Sequence, residues 1–437
     1  MKKIALPILF SFLVSMTFGQ TIKKATGFLD KKDYEKAKTE IDGFLAKSPN
    51  DGEGNYIKAK IYERIGDSAA LAGLVQGDAK AQALEAFKIA VADSSNVKLK
   101  LQIMKDNYAP VFNMYAGYYE QAAAAFNDAA HSQSKEGFAK SMNLFKKANE
   151  IGQYISHNEW AAIGKVDTTL VLNIGKAALN AGKEEDAKKA FIELADAGIY
   201  RVSNSDDNDS YRIPYQWLTL HFKNAGDEAN MKKYADLGEK YFPTDDYYDF
   251  VMMDYYREKK NTLQVFEKWE DLLKRSPDTL QYHFNYANEI FGYLYNSDDG
   301  VKIENKEQNL AKLKSQLEEA YRIDSKDINT NWLYSQYYYN KGIELRDEAI
   351  KIKGTKPEDV KKKADLNEEA KKSFNASIPF AELALKRLEE SGKSSDKSRY
   401  KSIANLMQNI YQSLSDKVNL KVYQDAYDAA DSKFKKD

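Results

Sequence analysis

The sequence predicts an all-α fold, an elongated solenoid of about eight to nine helix pairs, and three observations lead there. Helix-disfavouring residues are sparse in 437 residues, with 8 prolines and 22 glycines, while Lys, Glu, Ala and Leu are abundant. The chain also exceeds the length at which a single compact core keeps growing, which calls for several domains or a repeat array. The third observation is a spacing that recurs. In KDYEKAKTEIDGFLAKSP, Tyr34, Ala37, Ile41, Phe44 and Pro49 place a small residue and two bulky ones on one helical face, then a proline.

The spacing returns in register. Leu218, Thr219 and Phe222, followed by Gly226, Met231, Ala235, Gly238 and Pro243, are matched 34 residues on by Met252, Met253 and Tyr256, then Lys260, Val265, Trp269, Leu272 and Pro277. A further 34 residues brings Tyr286, Ala287 and Ile290. The pattern resembles the tetratricopeptide repeat (TPR), with a bulky-small pair and an aromatic on a first helix, small and bulky residues on a second, and a closing proline. The strongest single match is Ile174, Gly175, Ala178, Gly182, Ala187, Phe191 and Leu194. What the resemblance implies is a right-handed superhelix of TPR-like pairs, an exported bacterial member of that family.

The elements follow in order. The first pair carries Ala25, Phe28, Ala37, Ile41 and Phe44; the second carries Lys58, Ala59 and Tyr62, a turn at Gly66 and Asp67, then Ala83, Phe87 and Ala90. Small Ala37 admits a neighbouring helix that a larger side chain would hold off, and Pro49 ends the unit because it lacks an N–H. Less regular pairs are expected at Tyr108–Ala148, Tyr282–Ala320, Asn331–Leu388 and Ser398–Lys433, the last with Leu406 and Ile410 on its first helix. Insertions are read at Ser68–Ala81 and Asn296–Asn309. The stretch KIKGTKPEDVKKKADLNEEAKKS, ahead of an overlong second helix, balances acids against bases at helical spacing and reads as a solvated extension.

The N-terminus reads MKKIALPILFSFLVSMTFGQ, with two lysines, an apolar run from Ile4 to Phe18, and Thr17 and Gly19 before Gln20. That layout is a signal peptide over residues 1–19, leaving a repeat array over 20–437. The run falls short of the ~20 residues a bilayer span needs, and no later segment approaches that length. Export to the periplasm is the expectation, with secretion or surface association open. The chain has no cysteine, which excludes disulfides, thiolate metal sites, cysteine nucleophiles and a lipid on an N-terminal cysteine.

Chemistry is hard to find. Net charge is −1, from 65 basic and 66 acidic side chains, so no polybasic field points to nucleic acid. His131, His157, His221 and His283 are scattered without ligand spacing, His283 reading as a packing or rim residue, and no phosphate-loop, dinucleotide or nucleophile-elbow motif occurs. In SNSDDNDSY, Asp206, Asn208 and Ser210 alternate as in a calcium loop, but Tyr211 stands where glycine is needed and Trp217 where a glutamate belongs, so a polar loop is the better reading. Asp245 in DDYYD reads as a helix cap before further acids that suit the dipole. No catalytic residues, cofactor or metal are assigned, and no enzyme activity is expected.

In the resembled family the first helices line a groove in which partners dock. Carried over, those positions are Tyr247, Phe250, Asp254 and Arg257 in the sixth pair, Gln281, Phe284, Asn288 and Phe291 in the seventh, and Asn329, Trp332, Gln336, Tyr339 and Asn340 in the eighth. Aromatic faces among amides suit an extended peptide and also a sugar. The same aromatics, Phe284, Trp332 and Tyr339, serve equally as packing between first helices. The matching positions of the second pair, Tyr56, Lys60, Glu63 and Arg64, are charged without forming the family's basic carboxylate clamp. The leading expectation is a non-catalytic scaffold binding proteins or peptides in the cell envelope. A glycan-binding surface protein on the same scaffold is the alternative, and less favoured is a helical-repeat glycosidase, which needs two carboxylates about 5 to 9 Å apart.

Overall fold

Acidic and amide side chains start the helices. Asp33, Asp51, Asp78, Asn96, Asp167, Asp227, Asn261, Asp327 and Asp416 each accept a hydrogen bond from a backbone N–H in the turn they precede. A carboxylate there satisfies an otherwise orphaned donor and lies at the positive end of the helix dipole. The computed structural model describes residues 21–161, 167–201, 209–296 and 303–434. Residues 1–19, read as a signal peptide, and most of SNSDDNDSY lie outside the described residues.

Described residues form α-helices and short 3-10 turns without strands. The helices are α1 (21–30), α2 (Tyr34–Leu45), α3 (Gly52–Gly66), α4 (Ala79–Ala92), α5 (Val97–Lys105), α6 (Ala109–Ser132), α7 (Lys135–His157), α8 (Thr168–Asn180), α9 (Glu184–Asp196), α10 (Arg212–Ala225) and α11 (Glu228–Tyr241). They continue with α12 (Tyr247–Glu258), α13 (Thr262–Arg275), α14 (Leu280–Tyr295), α15 (Lys306–Ile323), α16 (Ile328–Lys351), α17 (Pro357–Ser391), α18 (Lys397–Leu414) and α19 (Lys417–Lys433). From α3 onward, apart from α5, they pack as consecutive pairs, which is the TPR-like arrangement. The chain divides into two compact units, one ending at Asp245 and the other starting at Asp246, so the array expected as one stretch is described as two.

The repeat positions are the core positions. In the first unit Ala37 and Ile41 are fully buried, as are Ala83, Phe87, Ala187, Phe191, Leu218, Met231 and Ala235. In the second, Met253, Leu272, Ala287 and Ile290 are fully buried, with Met252, Val265, Trp269 and Tyr286 almost so. Pro243 and Pro277 each follow two residues after a second helix, α11 and α13. The turn between α10 and α11 needs Gly226 in the left-handed region (φ 70°), where a side chain would be strained.

Several boundaries differ from the sequence reading. The first insertion is shorter, because after the 3-10 turn Ala69–Leu74 the chain re-enters helix at Ala79, with Asp78 as the cap. The second ends sooner too, since Asn309 is a buried residue inside α15. Helix α5 was not expected at all. The cap position of α12 is Asp246, one residue later than expected, and it makes no side-chain capping bond; its carboxylate accepts from the Tyr282 hydroxyl, and that of Asp245 accepts from Gln216 Nε2 (2.7 Å). Asp249, one turn in, is buried and paired with Lys268 (3.2 Å) and Arg275. The overlong helix is α17, 35 residues, with an exposed charged first third. Farther along, Gly342 of α16 admits the Phe374 ring and Ser335 pairs with Ser377 (2.8 Å).

Candidate functional site

In the second unit, helices α12, α14 and α16 carry the residues read as a partner-binding groove. At the α12–α14 step the charges satisfy one another. Arg257 donates to Asp254 (2.8 Å), one turn back, and through both Nε and Nη2 to Glu289 of α14 (3.1 and 2.8 Å to Oε2). Burial pulls the guanidinium pKa down, and the bonds to Glu289 and Asp254 more than offset it, leaving it raised. This fork-on-carboxylate geometry fixes the two first helices side by side. Tyr282 of α14 donates to Asp246, and burial together with that bond pushes its hydroxyl up to about 12. Phe250 is exposed, its ring 6.3 Å from Tyr282 and 6.1 Å from the buried Trp269, while Tyr247 is half-buried edge-on to Tyr248 (5.9 Å).

The α14 and α16 positions are different in kind. Asn288 is exposed, Gln336 and Asn340 are half-exposed, and none of these three amides has a hydrogen-bond partner among the described residues. Each therefore offers donors and an acceptor to an incoming molecule. Gln336 and Asn340 are one turn apart and share a face. Phe284 is half-buried without a ring partner among the described residues. Gln281 is instead engaged with Asn285 (2.8 Å).

Three aromatics of the expected set are committed to packing. Phe291 is buried, 4.9 Å from Tyr295. Trp332 and Tyr339 are half-buried against the cluster built by α17 and α18, Tyr339 lying 5.8 Å from Phe374. Burial raises the Tyr339 hydroxyl, with Arg346 opposing. The surface thus combines partly covered rings with free amides.

Sequence reading passed over a second feature, in the first unit. Lys60 and Glu63 of α3 line a cleft of about 520 Å³ with Leu29, Ile57, Gln102 and Asn113. Two of its cations are matched: Lys60 lies 3.3 Å from Asp106, which also accepts from the Tyr56 hydroxyl (2.6 Å), and Arg64 Nε lies 3.4 Å from Glu63. Glu63 is 2% exposed, and burial, followed by the neighbouring Asp67 carboxyl, pushes its pKa up to about 7. The signal in sequence was the charged set Tyr56, Lys60, Glu63 and Arg64 at inward positions, but nothing in it foretold which charges would pair.

Among the described residues, no group of three or more His, Asp or Glu side chains is placed to hold a metal ion, and no helix is long and apolar enough to cross a membrane. His283 is buried and bonded through both ring nitrogens, to Gln316 and to the Pro277 carbonyl (2.7 Å each).

No protein-family model matches the chain, and no curated protein matches it. Among solved structures it is similar to a human IFIT1 dimer with m7Gppp-AAAA (13% identity, 85% of this chain and 94% of that chain covered, TM-score 0.24). It is also similar to the yeast Tom70 structure (12%, 94% and 96%, 0.22) and to the APC/C hetero-tetramer Cut9–Hcn1 (10%, 96% and 98%, 0.22). At TM-scores of this size the similarities bear on no functional reading.

Proposed function

We propose that this chain is a non-catalytic scaffold, exported to the bacterial cell envelope, that docks extended segments of partner proteins on α12, α14 and α16. The observation that carries the reading is the set of amides without a hydrogen-bond partner among the described residues, Asn288, Gln336 and Asn340, beside the half-covered rings of Phe284, Trp332 and Tyr339. A peptide in extended conformation has unpaired backbone N–H and C=O groups at regular intervals, and amide side chains satisfy both kinds. The paired charges of Asp254, Arg257 and Glu289 make a polar rim and leave little net charge to attract nucleic acid. Export rests on the lysines, apolar run and small residues of positions 1–19 and on the absence of cysteine.

Cell fractionation with N-terminal sequencing tests the location: a mature chain starting at Gln20 supports export, and Met1 retained on cytosolic material overturns it. Affinity capture from envelope extracts, run beside a glycan array, tests the ligand. Proteins captured by the parent chain and lost with Gln336→Ala/Asn340→Ala support docking of peptide segments. Array binding lost with the same variant, with no protein captured, supports the glycan reading instead.

A further inference from the structure

Helix α5 belongs to no pair, and it is apolar on two opposite faces. Leu99 and Ile103, 3% exposed each, form its inner face. The Leu99 side chain packs at the start of α3, where a Cβ on Gly52 would come within 2.9 Å of it. The next residue after the helix, Asp106, accepts from Tyr56 and Lys60 of α3, so the C-terminal end is anchored as well. On the outer face stand Val97 (65% exposed), Leu101 (52%) and Met104 (50%), spaced four and three residues apart in a single stripe. Isolated exposed apolar side chains are ordinary, but three aligned on a helix whose other face already supplies its packing are not needed for folding.

Charge lies on both edges of this stripe. At 100° per residue, Lys100 falls on one side, and Lys98 and Lys105 fall on the other. All three are exposed, with no ion pair or hydrogen bond among the described residues. Elsewhere the lysines often find carboxylates, as Lys80 does with Asp67 (2.6 Å) and Lys147 with Asp78 (2.5 Å). The acid beside α5, Asp106, is already taken by Lys60 and Tyr56.

We propose that α5 is a membrane-surface contact that lays Val97, Leu101 and Met104 into the interface of an anionic lipid leaflet while Lys98, Lys100 and Lys105 reach its headgroups. An apolar stripe with cations on both edges is the arrangement that favours lying in an anionic interface, since long lysine stems keep the charge in the headgroup layer as the apolar residues sink. The outer face of one helix is a ridge, which a fluid interface covers more readily than a folded acidic protein that would have to supply a matching groove. The attachment is peripheral and reversible, because three apolar side chains and three cations supply far less than a spanning helix. It is separate from the docking surface of the second unit.

The absence of cysteine allows a direct test. Met104→Cys carries the only thiol and is labelled with a polarity-sensitive dye; Lys362→Cys on the exposed part of α17 is the control. Vesicles of phosphatidylglycerol and phosphatidylethanolamine should blue-shift the dye at 104 and leave that at 362 unchanged, and phosphatidylcholine vesicles or high salt should abolish the shift. In the labelled background, Lys98→Gln/Lys100→Gln should weaken partition roughly 25-fold, at about fivefold per lysine. Val97→Ser/Leu101→Ser should remove the blue shift. A dye at 104 that responds equally to neutral and anionic vesicles, or to neither, overturns the proposal. So does a response only to an acidic envelope protein, which would make α5 a protein contact.

Discussion

A Cβ atom added to Gly175 of α8 would fall 2.7 Å from Cδ1 of Phe191 on α9, inside the ring's contact distance. The glycine is therefore the space the phenylalanine occupies, and both positions are fixed by one packing event between the two helices of a pair. The same glycine and ring relation holds within the α16–α17 pair, between Gly342 and Phe374, and across successive pairs, between Gly54 of α3 and Phe44 of α2. Small residue and aromatic thus work together at three places in the chain.

Gly175→Val should destabilise the first unit by about 1 to 3 kcal/mol, the usual range for overpacking a tight contact. Ala187→Trp, at a fully buried position of α9, should do the same. Because a repeat depends on its neighbours, hydrogen exchange should quicken first in α7 to α10 and later in α2 and α3. Protection lost uniformly across the first unit would show a single cooperative core in place of an array.

Glu63 makes the first unit sensitive to pH. Its folded pKa of about 7 lies above the usual 4.5, so between these values the folded state holds a proton that the unfolded chain releases. Stability should then rise as pH falls from above 7 toward 4.5 and be lowest where the carboxylate must stay charged in its buried site. The shift corresponds to about 3 kcal/mol at most. Urea denaturation from pH 5 to 8 reads it, and Glu63→Gln should flatten this dependence. An unchanged profile in the variant would place the titrating group elsewhere.

In the second unit, two arginines at ion pairs should respond very differently to loss of their carboxylates. Asp249 is 1% exposed and faces Lys268 and Arg275, so Asp249→Ala leaves cations without their buried partner and should cost about 3 to 5 kcal/mol. Asp254 pairs with Arg257 at the surface, and Asp254→Ala should cost about 0 to 1 kcal/mol. Denaturation midpoints of the two variants side by side decide it, and equal costs would mean that Asp249 is better solvated than its position indicates.

The helix pairs were legible because the residues that mark them do one job everywhere. Ala37, Ala187 and Ala235 are small for the same reason and all fully buried, and a 34-residue period carries that reason along the chain. Helix α5 was not legible, since a nine-residue helix with no small-bulky partner leaves no periodic trace. Adjacent Asp245 and Asp246 suit a cap equally by type, and only the positions of Gln216 and Tyr282, brought in by folding, assign their roles. Lys312 illustrates the same gap: as a helix-surface lysine it looks neutral, yet it bonds Glu270 of α13 (2.6 Å) and holds two helices together. At the proposed docking surface, residue type indicated the aromatics and amides, but that Trp332 packs depended on α17 and α18 reaching it.

That last dependence shapes the test of the docking surface. Trp332→Ala removes a ring half-buried against the C-terminal cluster, so it should lower the stability of the second unit by about 2 kcal/mol, and any loss of binding would be confounded by that loss. Gln336 and Asn340 make no hydrogen bond among the described residues, so replacing both by Ala breaks no internal contact of that kind. Gln336→Ala/Asn340→Ala should leave the melting temperature nearly unchanged and weaken binding of a captured protein partner by about 10-fold or more, at about 1 kcal/mol for each hydrogen-bonding amide. Lys361→Ala/Lys362→Ala, on the exposed start of α17, is the matched surface control and should change neither quantity. If the amide variant keeps full binding while Trp332→Ala loses binding only in proportion to stability, the rings and amides of α16 are packing and solvated surface, and the partner docks elsewhere.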